Sequence, residues 1–223
     1  STTQDFPYDI TSFSFSFLTG SPMLFTYAGL IVAAVLYEDE HKNGNLKNAV
    51  AFGISREKLF LGKCITAVLT ATVLMGLVLT VYIGSACFLL EHTGPTSLKI
   101  ILTEVPAVYG TAVGSMILGI AFLSYFQNEV MAAMLWVVII DAIPRVLLLV
   151  GMFLQEQWGI EFLWDFAQLL PANLFQFGAD VNMSHCEVLW KTSQGMTKCV
   201  IVGIVETVLA IVAGIVMLRK KEV

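Results

Sequence analysis

The sequence predicts an all-α integral membrane protein, a polytopic helix bundle, and three observations carry that prediction. Of the 223 residues, 57% are hydrophobic and only 13% are charged, whereas an ordinary soluble domain carries about 25% charged residues. The mean hydropathy is +0.80. Three stretches, residues 10–37, 64–90 and 105–126, hold no charged side chain over 28, 27 and 22 positions. Each exceeds the roughly 20 apolar residues a helix needs to cross about 30 Å of hydrocarbon, where every backbone polar group must be satisfied within the segment.

Two further stretches are interrupted but long enough: residues 130–155 contain Asp141 and Arg145, and residues 199–218 contain only Glu206. The expected spans are therefore residues 14–37, 62–90, 101–126, 130–154 and 198–218. All of them belong to one transmembrane domain covering residues 1–223.

Lysine and arginine in short loops mark the cytoplasmic side. Lys42, Lys47, Arg56, Lys58 and Lys63 follow the first span, and Arg219, Lys220 and Lys221 follow the last, so eight of the twelve basic residues sit in two places. Four spans separate these places, a parity that lets both face the cytoplasm. The same parity puts residues 1–9 outside with no basic, apolar signal segment before them. A sixth, N-terminal span is therefore expected in the parent protein, five being visible here.

Residues 156–197 then fall outside the cell. This segment holds Trp158, Trp164 and Trp190, three of the four tryptophans, with Phe162, Phe166, Phe175 and Phe177. Indole rings favour the headgroup zone. Ile160, Leu163, Ala167 and Leu170 recur at helical spacing before Pro171, which predicts an extracellular re-entrant helical segment and not a free loop.

The cytoplasmic segment, residues 38–61, leaves the membrane through Glu38, Asp39 and Glu40 and breaks at Asn43-Gly44-Asn45, strong turn chemistry. Asn45 is a suitable N-cap. Leu46, Ala49 and Val50 recur on one helical face, and Gly53 supplies a left-handed stop, so residues 46–52 form a short helix. Ser55 caps a second helix that enters the next span through Arg56 and Lys63. A solvated loop resting on headgroups explains the composition; a capped helix held between two spans also transmits force and suits a docking element.

The order acidic residue, Gly44, Lys47, short apolar helix, Ser55-Arg56 and Lys63 resembles the coupling-helix region of type-2 ABC exporter permeases, including those of lantibiotic and bacitracin type. Glu38 or Glu40 stands at the family's acidic position, and Asn45 replaces the usual Thr, a change an N-cap tolerates. The order of spans, the aromatic outer segment and the basic end Arg219-Lys220-Lys221 extend the likeness over the whole chain. The resemblance implies an ATPase-coupling surface built from Glu38, Gly44, Leu46, Lys47, Val50, Ser55 and Arg56, inserted into a cleft of a cytoplasmic ABC ATPase present in two copies. It also implies a second permease subunit, as a homo- or heterodimer, in a bacterial plasma membrane. ATP and Mg would be bound by the partner ATPase; this chain has no phosphate-binding loop, since Gly62-Lys63 is followed by Cys64 without the earlier glycine. The cargo implied is an amphipathic peptide, an antibiotic or a lipid-like molecule, and antibiotic resistance a role.

Charged groups at membrane depth cost several kcal/mol each by roughly calibrated insertion scales and need a partner or a wet surface. Asp141 and Arg145 stand at i and i+4, acid first, on one helix face with Pro144 between them. They neutralise each other and fasten two helices, or they face the substrate path or a subunit interface. Glu206 has no basic residue within a turn, so its partner comes from another span or its carboxyl is protonated. Gly110-x-x-x-Gly114, with Ser115 and Gly119, predicts close helix packing.

Cys64, Cys87, Cys186 and Cys199 show no metal-ligand spacing, and His41, His92 and His185 are isolated. No metal or cofactor is expected in this chain. Cys186 and Cys199, both on the outer side, remain able to pair. Nucleic acid is not a partner, since no basic patch is interleaved with aromatics; membrane lipid is. Paired intramembrane aspartates and a His-Glu-x-x-His are both missing, which argues against an intramembrane hydrolase. A secondary carrier or channel using Asp141, Arg145 and Glu206 as a relay, and a non-transporting immunity or sensor subunit, remain the competing readings.

Overall fold

The computed structural model describes residues 11–43, 54–92, 98, 102, 105–126, 128–176 and 193–220. Among them four helical stretches are long and apolar enough to cross a membrane: Arg56–Leu89, Pro106–Tyr125, Glu129–Trp158 and Gly195–Lys220. Ser21–Val35 forms a shorter apolar helix. The chain is an all-α polytopic membrane protein.

The first expected span is divided. A short helix α1 (Thr11–Ser16) and a 3-10 turn (Phe17–Gly20) precede α2 (Ser21–Asn43). Pro22 explains the break, because proline lacks the N–H an unbroken helix would use here but suits a first turn. The freed backbone is used locally: Thr26 donates its hydroxyl to the Pro22 carbonyl at 2.8 Å.

The 34-residue α3 (Arg56–Leu89) starts where Ser55 caps it, the Ser55 hydroxyl accepting from the Lys58 N–H at 3.4 Å. Phe60, Cys64, Ala67 and Ala71 are its buried positions near that end. They recur at intervals of four, three and four, a single stripe of mostly small side chains. Ile65, Leu69, Val73, Leu77 and Val81 on the other faces are exposed, as expected of a helix bathed in lipid. Three of its threonines are paired with the helix's own backbone. Thr66, Thr72 and Thr80 each donate to the carbonyl four residues back, at 2.9, 2.6 and 2.7 Å.

At the centre stands α4 (Tyr109–Tyr125), preceded by a 3-10 turn (Val105–Val108). Ala112, Met116, Ile120 and Ala121 are fully buried, wrapped by α2, α3 and two later helices. The turn that follows is short because Asn128 caps α5 (Glu129–Val137) at once, its Oδ1 accepting from Val130 N and Met131 N.

α5 continues through a π segment (Val138–Ala142) into α6 (Ile143–Trp158). Gly159, at φ +68°, ends α6 in a left-handed turn. Its N–H reaches the Gln155 carbonyl at 3.0 Å, the five-to-one bond of an αL cap, and Ile160 N–H reaches back to Leu154 at 3.4 Å. Ile160 thus belongs to this turn and not to the helical stripe expected to begin there. Helix α7 (Phe162–Gln168) starts two residues later and folds back along α6, and α8 (Pro171–Gln176) follows.

Trp164 stands where α7 packs closest to α6. Its backbone lies so close to α6 that a Cβ added to Gly151 would stand 2.9 Å from Trp164 Cα. In α8, Ala172, Asn173, Leu174 and Phe175 are at most 2% exposed, and Leu174 and Phe175 join the core around α4. The last helix, α9 (Ser193–Lys220), completes the bundle against α4.

α4 and α9 approach almost backbone to backbone. A Cβ on Gly110 or Gly114 would meet Gly203 or Thr207 backbone atoms at 3.2 and 2.9 Å, and one on Gly203 would stand 2.7 Å from Thr111 N. Thr207 then donates its hydroxyl to the Gly110 carbonyl at 3.0 Å. The glycine pair seen in the sequence therefore packs helices within one chain.

Candidate functional site

Pro144 has no N–H and its ring crowds the carbonyl four residues earlier. The chain absorbs this by widening one turn: Ile143 N–H donates to Val138 O, five residues back, across the π segment. Such single π turns recur where a helix bends or works. Asp141 lies inside the widened turn and Arg145 just beyond it. Arg145 donates from Nε at 3.1 Å and from Nη2 at 2.6 Å to the same Asp141 Oδ1, so the intrahelical pair expected from the i, i+4 spacing forms. Its side chains stay 42% and 21% exposed, near the middle of the 30-residue stretch Glu129–Trp158. A half-exposed ion pair at that depth needs a polar neighbour, such as water, cargo or another subunit.

Two groups that sequence reasoning missed lie beside this kinked stretch. The Tyr27 phenol, from α2, lies within electrostatic reach of Asp141 and Arg145. Its ring meets Trp136 edge-on, centroids 5.3 Å apart. Trp136 is wholly buried and donates Nε1–H to the Ser115 carbonyl of α4 at 2.7 Å. The second group is Asn173. Its amide donates to Pro144 O at 2.8 Å and to Ala167 O at 2.7 Å. Pro144 lies fourteen positions from the end of α6, about 20 Å at 1.5 Å per residue. Residues 162–176 thus fold back along α6 and are fastened beside the kink. A lone amide among Ala172, Leu174 and Phe175 was the available signal; its partner was not readable.

Glu206 is not brought to this pair. It sits on α9 where Gly114 of α4 passes, with the Thr111 hydroxyl bearing on its carboxyl. Among the described residues it makes no ion pair, and its Oε2 is buried without a hydrogen-bond partner.

At the other end of the bundle, Ser55 caps α3 as its sequence position suggested, and Arg56 opens the helix. Glu57 in the first turn, a favourable place for an acid, accepts from Arg219 Nε and Nη2 of α9, both at 2.6 Å. Glu38 lies within α2. Gly44, Leu46, Lys47 and Val50 fall outside the described residues, as do Asn45, Gly53, Cys186 and Trp190. Cys199 is a buried free thiol.

The first 143 positions, from the N-terminus through the π segment, match the family model described as ABC-2 family transporter protein. The chain belongs to the ABC-2 transporter family. The match takes in the segment that resembles a coupling region and stops between Asp141 and Arg145. No curated protein and no solved structure matches the chain. This ABC-2 protein is accordingly a multi-pass membrane permease of an ABC transporter, a class that works with an ABC ATPase.

Proposed function

We propose that this permease drives export of an amphipathic peptide, antibiotic or lipid-like molecule across a bacterial plasma membrane, using ATP and Mg bound by a separate ATPase chain. Two permease halves, identical or not, act with two ATPase chains. The observation that carries the reading is the Glu57–Arg219 pair. It joins the start of α3, where the docking segment of residues 46–56 hands over to the bundle, to the end of α9. Force applied to that segment enters both helices together, and α9 packs backbone to backbone on the central α4.

Force reaching α4 meets Trp136 and Tyr27, and through them the Asp141–Arg145 pair on the kinked span. A half-exposed, self-neutralised pair fits the wall of a translocation path better than a lipid-facing surface. The test is biochemical. Detergent-extracted permease should retain its cognate ATPase and stimulate ATP hydrolysis. Leu46→Glu, Val50→Glu and Arg56→Glu should abolish both while leaving membrane insertion intact. Normal transport by such a variant overturns the coupling role, and a wild-type permease that neither binds nor stimulates an ATPase overturns the exporter.

A further inference from the structure

Three buried side-chain oxygens of the described chain lack any hydrogen-bond partner: Thr111 Oγ1, Ser115 Oγ and Glu206 Oε2. They stand on two helices in backbone contact, Thr111 and Ser115 on α4 and Glu206 on α9. Thr111 and Ser115 are successive turns of α4, 0% and 3% exposed, and residues four apart share a face. Glu206 comes from α9 at the point where a Cβ on Gly114 would stand 3.1 Å from its carbonyl carbon. Thr111 is the side chain that bears on its carboxyl.

Several other hydroxyls in the bundle are paired within their own helix. Thr26, Thr66, Thr72, Thr80 and Ser124 each donate to the carbonyl four residues back, an acceptor that a helix always provides. Ser115 has the same option in the Thr111 carbonyl and does not take it; four residues before Thr111 stands Ala107, in the 3-10 turn, and Thr111 makes no bond there either. A buried hydroxyl left unpaired in an apolar medium costs free energy, and unsatisfied groups in native interiors commonly mark a water or an ion.

Glu206 adds a carboxyl with no fixed counter-charge. On α9, Lys198 lies eight positions before it and Arg219, thirteen after it, is paired with Glu57. The titratable groups of α4 are Tyr109 and Tyr125, and Tyr109 shares a hydrogen bond with Thr72 at 2.6 Å. Those of α3 are Arg56, Glu57, Lys58 and Lys63 in its opening turns, then Cys64, Tyr82 and Cys87; Tyr82 is bonded to Ser14. The 3-10 turn Val105–Val108 has none. Oε2 is buried within this chain although Glu206 as a whole is only partly so, and a group reaching that oxygen must fit between α4 and α9. A guest must be small, and it must carry positive charge to offset an ionised carboxylate at membrane depth.

We propose that Thr111, Ser115 and Glu206 form an intramembrane site for one monovalent cation, a proton or Na+, at the crossing of α4 and α9. One carboxyl and two hydroxyls are hard oxygen donors of single negative charge. They suit neither a soft transition metal nor a divalent ion, which takes more carboxylates. The guest would tie the glycine-lined crossing together, so its arrival and release would set how tightly α9 holds the central helix. This site stands whether or not the exporter reading does.

The test uses the full-length permease in lipid nanodiscs, without any ATPase. Its thermal unfolding midpoint is measured against pH in sodium-free choline buffer, and against Na+ at fixed pH with choline balancing ionic strength. A Na+ guest raises the midpoint by roughly a few degrees as Na+ is added. A proton guest makes the midpoint fall as pH is raised through the range where the carboxyl gives up its proton. Glu206→Gln should remove whichever response is seen, and the double variant Thr111→Val with Ser115→Ala should shift it to higher Na+ or lower pH. A wild-type midpoint flat in both titrations overturns the proposal, as does an unchanged response in Glu206→Gln. Should that variant not fold, an unchanged response in the hydroxyl double variant overturns it equally.

Discussion

Arg219, in the last turn of α9, donates from two nitrogens to a single carboxylate oxygen of Glu57, in the first turn of α3, at 2.6 Å. The partners are 162 positions apart. Their contact places the two richest clusters of basic residues, around Arg56 to Lys63 and at the C-terminal end, on one face of the bundle. The pair also complements both helix ends, an acid at an N-terminus and a base at a C-terminus.

Because both side chains are solvent-accessible, the pair should matter more for coupling than for folding. We expect Glu57→Arg and Arg219→Glu each to lower ATPase-coupled transport several-fold with a nearly unchanged unfolding midpoint. The double swap should restore transport. Equal transport in all four proteins would show that force does not pass through this contact.

The ion pair within the membrane should behave otherwise. Removing one partner leaves the other charge uncompensated but partly exposed, so Arg145→Gln or Asp141→Asn should destabilise by about 1–2 kcal/mol, below the cost in a fully buried pair. The double variant should recover most of that stability. If the pair lines the transport path, the double variant stays defective in transport despite its stability. Full recovery of transport would make the pair purely structural.

Asn173 is the latch of the re-entrant segment. Asn173→Leu keeps the branched shape of the side chain, with bulkier ends, but removes both donated bonds, leaving Ala167 O with the Leu170 N–H alone. The expected cost is roughly 1–3 kcal/mol. Hydrogen exchange should read it, with faster exchange confined to α7 and α8 and little change in α4. Protection unchanged across these helices would show that packing of Leu174 and Phe175 suffices.

At the α4–α9 crossing, bulk is the sensitive variable. Gly203→Val places side-chain atoms against the backbone of Gly110 and Thr111 and should cost about 1–3 kcal/mol or force the helices apart. Thr207→Val removes one interhelical hydrogen bond, worth about 0.6 kcal/mol in a membrane. Unfolding in mixed detergent micelles should rank the two in that order, and a reversed ranking would mean that the bond and not the close approach holds the helices.

Much of the architecture was legible in the chain because lipid imposes a simple code. A backbone that must satisfy itself becomes helix, and uncharged runs of the required length mark where. The i, i+4 spacing of Asp141 and Arg145 foretold their pairing, and Ser55 was readable as a cap because both are contacts within one helix. The glycines at 110 and 114 signalled close approach, but nothing in their own segment named Gly203 and Thr207 as the surface approached. The expected first span was one uniform apolar run, and Pro22 divides it.

The sequence by itself determined that this protein lives in the bilayer, where its long helices run and which ends carry positive charge, since each is a property of neighbours along the chain. Only the tertiary structure decided that Asn173 reaches Pro144, that Tyr27 comes within electrostatic reach of the ion pair, that Glu57 answers Arg219, and that Glu206 lies on the helix packed against Thr111. Those relationships are distances between residues far apart in the chain, and they exist only once the helices have packed.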